Sequence, residues 1–226
     1  MKIGIICAMS DELEYIVNNL SNAETTNVCG LTFHKGDLGN NEVICVMSGI
    51  GKVNSSISTT LLITSYKPDL VINSGIAGGS HNLQTKDIII ADKLAYSDVD
   101  VQAFGYEFGT VPGMPLYYET SEKYRTILKS VFEANNVAYK EGLVLTADTF
   151  RLSQNEIKNE LSCDFAVEME GASIAQACHK LQTPFLSIRI ISDILDSENH
   201  MDDYNSFERE SALFSGKTTI ELINKL

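Results

Sequence analysis

The chain has 226 residues, 44% of them hydrophobic and 21% charged, proportions close to those of an average globular protein. A chain of this length buries one sizeable core, so we expect a single domain over residues 1–226. The formal net charge of −13, without any lysine or arginine cluster, excludes nucleic acid and membrane surfaces as expected partners, and no apolar stretch is long enough to span a bilayer. The five cysteines form no C-x-x-C pair and no disulfide framework, which indicates a cytoplasmic location.

Strands and helices are predicted to alternate along the chain. Apolar, β-branched runs bounded by Gly, Asp, Asn or Pro predict strands at Ile3–Met9, Leu31–Lys35, Glu42–Ser48, Leu70–Ser74, Asp87–Leu94, Gly142–Thr146, Ala166–Glu168 and Phe185–Ile191. Helical patterns between them predict a helix Asp11–Leu20 with Ser10 as its N-cap, then Lys52–Tyr66, Ser121–Asn135, Ser153–Leu161, Gly171–Leu181 and a helix from about Asp203. This alternation is typical of a three-layer α/β domain around a largely parallel or mixed sheet. The long irregular stretch Ser97–Tyr118 is expected to be functional or to lie at an interface.

Two glycine-rich turns follow predicted strands, at Gly49–Asn54 and Gly75–Gly79. Neither completes the dinucleotide motif G-x-G-x-x-G, and neither is a phosphate-binding Walker A loop. They are either tight turns at strand ends or places where the backbone passes close to a small ligand. The four histidines show no metal-ligand spacing, so we expect no metal site.

Carboxylates stand at the ends of three predicted strands: Glu12, the pair Glu168 and Glu170, and Asp193. Ligands of open α/β sheets bind beyond the carboxyl ends of the strands. Any one of these acids alone is more often a helix cap or a solvated charge. Their convergence at one edge of the sheet favours acid–base chemistry, although it does not name a substrate.

The acids and glycine turns belong to a longer series of segments, namely Ile3–Met9 with Glu12, Ser48–Asn54, Asn73–Gly79, Asp98–Val101 with Phe104–Tyr106, Val167–Ala172 and Arg189–Asp193. In order and spacing this series resembles the bacterial 5′-methylthioadenosine/S-adenosylhomocysteine nucleosidases, within the nucleoside phosphorylase superfamily, over essentially the whole chain. The resemblance implies a nucleoside phosphorylase-like fold, a single α/β/α domain of three layers around a twisted mixed central sheet. It also implies a homodimer with a small-molecule nucleoside substrate and no cofactor.

The activity implied is hydrolysis of the N-glycosidic bond of 5′-methylthioadenosine and S-adenosylhomocysteine, with 5′-deoxyadenosine as a further expected substrate. In the family, the acid matching Asp193 gives a proton to the imidazole-ring nitrogen of adenine. The glutamate matching Glu12 activates the attacking water, helped by groups matching Arg189 and Ser74. Adenine must be protonated as it leaves because its anion is a poor leaving group, and the ribose becomes oxocarbenium-like while water attacks the opposite face.

The remaining family positions bind substrate. Met169 and Glu170 match the residues that bind the ribose, Phe150 matches the aromatic that stacks on adenine, and the backbone at Arg151 matches the group that reads the base edge. Ser192 is expected beside Asp193 at the substrate. The apolar wall around the 5′ group is matched by Met9, Ile50, Val101, Phe104 and Phe207, and residues lent by the neighbouring subunit are matched by Tyr106 and Pro112.

Two departures from the family pattern concern packing and base recognition. Arg151 stands where the pattern usually has an apolar residue, so its side chain either adds a contact or points to solvent. Ile190 and Ile191 are bulkier than the usual small-residue pairing before Ser192, which bears on the packing behind Asp193.

Two other functions remain open. A purine nucleoside phosphorylase on the same fold would need arginines near the first turn to hold a phosphate dianion, but Glu12 stands there and the first arginine in the chain is Arg125. A non-catalytic nucleoside-binding protein on this fold would not need the set of acids, because binding alone requires no acid–base pair.

Overall fold

The computed structural model describes residues 1–159, 161, 163–197 and 200–226. The strands, in chain order, are β1 (Lys2–Cys7), β2 (Ser21–Val28), β3 (Leu31–Leu38), β4 (Asn41–Met47), β5 (Leu70–Gly79), β6 (Ile88–Tyr96), β7 (Tyr118–Glu119), β8 (Lys140–Thr146), β9 (Phe165–Glu168) and β10 (Phe185–Ile194). The α-helices are α1 (Ser10–Asn18), α2 (Lys52–Tyr66), α3 (Glu122–Ala134), α4 (Gly171–Lys180) and α5 (His200–Ile223). Within these described residues, no helix is long and apolar enough to cross a membrane.

The strands form one mixed sheet, part of which closes on itself. Strand β5 pairs with β10 on one side and with β9 near its end, β10 pairs with β6, β6 with β8, and β8 with β9. These pairings complete a ring of five strands. The parallel strands β1 and β4 continue outward from β5, and the antiparallel strands β3 and β2 follow them to the edge.

Helices cover both faces of the sheet, which confirms the three-layer architecture. Residues of α2 and α4 pack with one core cluster, and residues of α1, α3 and α5 pack with another. Strand β1 shows why, because Ile6 faces the first cluster whereas Ile3 and Ile5 face the second, as alternation along a strand requires. At Gly4, a Cβ would lie 2.7 Å from Leu62 Cδ2, so α2 can pack closely on β1 only over a glycine.

Three differences from the sequence-based elements have local causes. The helix expected over Ser153–Leu161 is wrong, because the described residues there form a single turn of 3-10 helix, Gln154–Glu156, and otherwise lack regular structure. Strand β2 was not expected because its exposed edge sequence, SNAETTNV, has almost no apolar residues. Strand β7 is two residues long, too short to give a pattern.

Candidate active site

A cleft opens at the carboxyl ends of β1, β5, β9 and β10. It brings together most of the residues expected at a substrate site. Those lining it are Met9, Glu12, Ile50, Phe150, Arg151, Met169, Glu170, Ser192 and Asp193. Within the part of the chain that the structure describes, no group of three His, Cys, Asp or Glu side chains could hold a metal ion.

Glu12 lies at the start of α1 and is 2% exposed. Its Oε2 accepts hydrogen bonds from the backbone N–H groups of Ala8 at 2.8 Å and Met9 at 3.0 Å, and its Oε1 accepts one from Ile76 at 3.0 Å. Burial raises the pKa of Glu12, although the positive charge of Arg189 and the three N–H donors act to lower it. Because burial raises its pKa, the ionised form of Glu12 is a better proton acceptor than an exposed carboxylate.

The expected N-cap of α1, Ser10, is wrong. The helix begins at Ser10, the cap position is occupied by Met9, and the hydroxyl of Ser10 lies 3.4 Å from Asp11 Oδ1. The side chain of Glu12 accepts a hydrogen bond from the backbone N–H of Met9 instead. One carboxylate therefore both caps the start of the helix and lines the cleft.

Two glycines of β5 make room for the acidic side chains. A Cβ at Gly75 would lie 2.5 Å from Glu12 Oε1 and 2.6 Å from Arg189 Nη1. A Cβ at Gly78 would lie 2.9 Å from Asp193 Oδ2. The segment Gly75–Gly79, expected as a turn after the strand, is instead the last part of β5, and its glycines permit side chains from α1 and β10 to approach the β5 backbone closely.

Asp193 is 2% exposed and lies at an irregularity of β10. The pairing register with β5 shifts between Ile191 and Asp193, so Ser192 is an extra residue in the strand, a bulge of the kind that redirects side chains near active sites. The hydroxyl of Ser192 donates to Asp193 Oδ1 at 2.5 Å. Ile190 and Ile191, the bulky pair before the bulge, are fully buried and face opposite core clusters, so both faces accommodate them.

Arg189, outside the lining of the cleft, forms an ion pair with Glu168, which lines it, and their side chains are 1% and 3% exposed. Oε2 of Glu168 lies 2.5 Å from Arg189 Nη2 and accepts from the N–H groups of Glu170 at 2.9 Å and Gly171 at 2.6 Å, while Oε1 accepts from the hydroxyl of Thr146. Sequence patterns assign Glu168 no role beyond its place among the strand-end acids. Its position at the end of β9, next to a helix start, was the available signal.

Glu170 is 4% exposed, and its Oε1 accepts a hydrogen bond from the N–H of Gly51 at 2.8 Å. Burial, and then the charge of Glu168, raise the pKa of Glu170 to about 8, against the opposite effect of Arg189. The bond from Gly51 connects the first glycine turn to this carboxylate. The two glycine-rich segments of the sequence therefore contact different acids of one cleft, Glu170 for the first and Glu12 and Asp193 for the second.

Ser74 lies outside the residues that line the cleft. Its Oγ is 2.6 Å from Ser215 Oγ and accepts a hydrogen bond from the hydroxyl of Thr219 at 2.7 Å, both on α5. This fully buried cluster ties the end of the chain to β5 behind the acids. Arg189 likewise lies behind the lining, where it donates to Asn73 as well as to Glu168.

The loop after β8 contributes a second side of the cleft. Phe150 lines the cleft there and is 44% exposed. The side chain of Arg151 is turned away from solvent, because Nη2 donates to the carbonyl of Ser97 at 3.0 Å and Nη1 lies 3.6 Å from Glu156 Oε2. The unusual arginine is therefore held by protein groups, and its backbone is part of the lining.

Comparison with known proteins agrees with this geometry. The model of the phosphorylase superfamily matches residues 2–224. A 5′-methylthioadenosine/S-adenosylhomocysteine nucleosidase of Bacillus subtilis is 40% identical over 231 residues, covering 100% of both chains. This chain belongs to that nucleosidase family.

Solved structures of the nucleosidase family have the same fold. An S-adenosylhomocysteine nucleosidase of Streptococcus pyogenes, in complex with 5-methylthiotubericidin, has a TM-score of 0.92 and 36% identity over 100% of this chain and 97% of its own. A 5′-methylthioadenosine/S-adenosylhomocysteine nucleosidase of Neisseria meningitidis, in complex with methylthio-immucillin-A, has a TM-score of 0.93 and 33% identity over 100% and 99%. The nucleoside phosphorylase-like fold expected from the sequence is thereby confirmed.

The apolar wall that the nucleosidase family places at the 5′ group is only partly assembled in this single chain. Met9 and Ile50 line the cleft. Val101, Phe104, Tyr106 and Pro112 lie in the stretch after β6, away from the lining, and Phe104 is 80% exposed. Phe207 on α5 also lies outside the lining, with Lys86 Nζ 5.3 Å from its ring centroid.

Proposed function

We propose that this chain, as one domain over residues 1–226, hydrolyses the N-glycosidic bond of 5′-methylthioadenosine and S-adenosylhomocysteine. The products are adenine and the 5′-substituted ribose, and 5′-deoxyadenosine is a further substrate of the same class. The observation that supports this proposal most directly is the placement of two buried carboxylates, Glu12 and Asp193, in different environments of one cleft. Paired acids whose surroundings differ are able to divide the roles of acid and base.

In the proposed reaction, Asp193 gives its proton to the imidazole-ring nitrogen of adenine as the bond to the ribose breaks. Glu12, in its ionised form, accepts a proton from the water whose oxygen attacks the anomeric carbon. Hydrogen bonds donated by the ribose hydroxyls favour the ionised form of Glu170, which is largely protonated without a ligand, and the resulting carboxylate offsets the positive charge that develops on the ring. Phe150 stacks on adenine, Ser192 supports Asp193, and Met169 contacts the ribose. No cofactor enters this scheme.

Phosphorolysis fits the cleft less well than hydrolysis. Among the described residues that line it, Arg151 is the one cation, and its guanidinium is occupied by Ser97 and Glu156. Arg189 is paired with Glu168, and Glu12 would repel a phosphate dianion placed near the first turn. A non-catalytic binding role leaves unexplained why three carboxylates are buried at one edge of the sheet, where each is costly to ionise.

A homodimer in the cytoplasm is part of the proposal. Val53 and Ile57, one turn apart on α2, are 68% and 52% exposed, and Phe104 in the stretch after β6 is 80% exposed. A contiguous exposed apolar patch marks an interaction surface, and Val53 and Ile57 lie on the same side of α2. In the dimer, Tyr106 and Pro112 would complete the 5′ wall of the neighbouring cleft, and Val101, Phe104 and Phe207 would close around the thioether.

The deciding experiment measures adenine released from 5′-methylthioadenosine in phosphate-free buffer and again with added phosphate. We expect the same rate in both, with the free 5-methylthioribose as the second product. A requirement for phosphate, or a sugar 1-phosphate product, would replace the proposal by phosphorolysis. Binding of the nucleoside without any release of adenine would indicate the non-catalytic alternative.

A further inference from the structure

Lys52 and Asp98 belong to the sequence segments shared with the family, but the proposed mechanism gives neither a role. Their side chains meet: Lys52 Nζ lies 2.6 Å from Asp98 Oδ2 and 3.6 Å from Asp148 Oδ2. The side chains of Lys52 and Asp98 are 22% and 18% exposed, so this pair is more shielded from solvent than an ordinary surface ion pair.

Backbone hydrogen bonds extend the same cluster. Asp148 Oδ1 accepts from the N–H of Lys52 at 2.8 Å, and Asp98 Oδ2 accepts from the N–H of Asp148 at 2.8 Å. Lys52 Nζ also lies 5.5 Å from the ring centroid of Tyr96. The side chains of Lys52, Asp98 and Asp148, which we call the Lys52 clasp, therefore join the turn before α2, the segment after β6 and the loop after β8.

Two of these three segments form walls of the cleft. The turn before α2 contains Ile50, which lines the cleft, and Gly51, whose N–H donates to Glu170. The loop after β8 contains Phe150 and Arg151, which line the opposite part. The Lys52 clasp thus connects the wall beside Glu170, expected to hold the ribose, with the wall of Phe150 and Arg151, expected to hold the base.

Helix stability does not explain a lysine at this position. Lys52 is the first residue of α2, where the helix dipole and the free N–H groups favour an anion and disfavour a cation. Asp148 supplies that anion from another segment, and Gly51 adopts a φ of 99°, so its Cβ-free backbone allows Asp148 Oδ1 to approach. At this position the lysine contacts two aspartates, Asp98 and Asp148, which belong to two other segments.

We propose that Lys52 is a positioning residue, which through Asp98 and Asp148 holds the ribose and base walls of the cleft in the geometry that binds the nucleoside. This inference rests on the proposed function. It predicts that replacing Lys52 weakens substrate binding more than it slows proton transfer. The reason is that Glu12 and Asp193 are held by β5, β10 and α1 rather than by the Lys52 clasp.

The test compares Lys52→Met with Lys52→Arg and with the control Lys129→Met, which removes a cation from an ion pair on α3 distant from the cleft. For Lys52→Met we expect KM for 5′-methylthioadenosine to rise about tenfold to a hundredfold, because binding common to the ground state and the transition state is lost, with kcat within about threefold of the parent. Lys52→Arg should recover most of the loss, and Lys129→Met should match the parent. Asp98→Asn, which keeps an acceptor for the N–H of Asp148 but removes the charge, should reproduce the KM effect.

Amide hydrogen exchange gives a readout that does not depend on activity. In Lys52→Met, exchange should become faster at Gly51, Lys52 and Asp148 while the core of β5 stays protected. An unchanged KM in both Lys52→Met and Asp98→Asn, or a fall in kcat equal to the rise in KM without recovery by arginine, would overturn the proposal. If the parent released no adenine, the proposed function would fail, and unchanged exchange at these three amides would separately refute the clasp.

Discussion

Nη2 of Arg189 lies 2.5 Å from Oε2 of Glu168, in a buried ion pair whose acid lines the cleft. The same guanidinium acts on two further carboxylates, because its charge lowers the pKa of Glu12 and of Glu170, both of which burial raises. One cation therefore acts on three acids of the cleft. Its closest partner is Glu168, the acid to which the proposed reaction gives no role. Glu168 holds Arg189 and so limits how far Arg189 favours the ionised forms of Glu12 and Glu170.

Glu168→Gln tests this electrostatic role through the pH dependence of kcat/KM. The variant removes a negative charge that raises the pKa of Glu170, and it leaves the Arg189 charge without its closest partner, so the pKa of Glu12 should also fall. Since Glu12 must be ionised to accept a proton, kcat/KM declines as pH falls through the pKa of Glu12. We therefore expect the acidic limb of the profile to move to lower pH in Glu168→Gln.

Glu141→Gln is the matched control, because Glu141 pairs with Lys129 on the surface at 2.9 Å. Its profile should coincide with that of the parent. An acidic limb that stays in place in Glu168→Gln, or moves to higher pH, would show that Arg189 and Glu168 do not set the charge of the base.

Glu170→Gln should make the protein more stable at pH 8 while impairing it as an enzyme. The pKa of Glu170 is raised from 4.5 to about 8 in the folded state, so protonation favours folding. This contribution is fully present below the unfolded pKa and is lost as pH rises toward 8. The neutral amide cannot titrate, so the Tm of Glu170→Gln should depend less on pH between 5 and 8 than the Tm of the parent.

Thermal unfolding at closely spaced pH values measures this difference, with Glu141→Gln again as the control. The remaining slope should reflect Glu12, whose pKa burial also raises. A parent protein whose Tm rises steadily from pH 5 to pH 8 would contradict the buried, protonated state of Glu170. A higher Tm together with weaker substrate binding would be an example of stability exchanged for function.

Much of the fold could be predicted from the sequence because most of its strands are apolar runs and its helices begin and end next to residues that favour helix ends. Lys52–Tyr66 was predicted with both ends correct, since Gly51 and Pro68 bound it, and β5 was found but ends at Gly79 rather than Ser74. Three glycines and an alanine conceal the last part of β5, because the close approach of Glu12, Arg189 and Asp193 requires the absence of a Cβ at Gly75 and Gly78. Strand β2 was missed because an exposed edge needs no apolar pattern.

The closed ring of strands and the interior partners of the acids could not be predicted. Ring closure depends on the pairing of β10 with both β5 and β6, a long-range choice that no local pattern records. Similarly, Ser74 is joined to Ser215 and Thr219 from the far end of the chain. The sequence could place Glu12, Glu170 and Asp193 at strand ends, but the arrangement behind them, including the role of Glu168, depends on which segments meet in three dimensions.

The exposed apolar side of α2 predicts how the protein assembles. Val53→Asp and Ile57→Asp each place a charge on the surface proposed as the dimer interface, where the side chains of the single chain are 68% and 52% exposed. We expect sedimentation to show a dimer for the parent and a shift toward monomer for both variants, with a loss of activity because the neighbour's Tyr106 and Pro112 no longer reach the cleft. Glu221→Gln on α5 should remain dimeric, and a fully active parent monomer would contradict the proposal.

Asp193→Asn separates the two roles that a buried acid at a strand end can have. Asparagine keeps the shape, can still accept the hydrogen bond from Ser192, and can still donate to the adenine ring, but it cannot transfer a proton. General acid catalysis contributes about 10²–10⁴-fold, or roughly 3–5 kcal/mol of barrier at about 1.36 kcal/mol per tenfold. We therefore expect kcat to fall by that factor while the Kd of a non-hydrolysable nucleoside analogue changes far less.

If Asp193 instead only terminates β10 and caps the segment that follows, the outcome is the reverse. Asparagine caps as well as aspartate, so kcat would stay within about threefold of the parent and the effect on stability would be about 1 kcal/mol or less. Asp196→Asn, the same change at an exposed position three residues later, provides the control and should leave kcat and Kd unchanged. Because folding is checked independently by thermal unfolding, a folded Asp193→Asn protein with nearly full kcat would remove Asp193 from the reaction, and with it the step that makes adenine a leaving group.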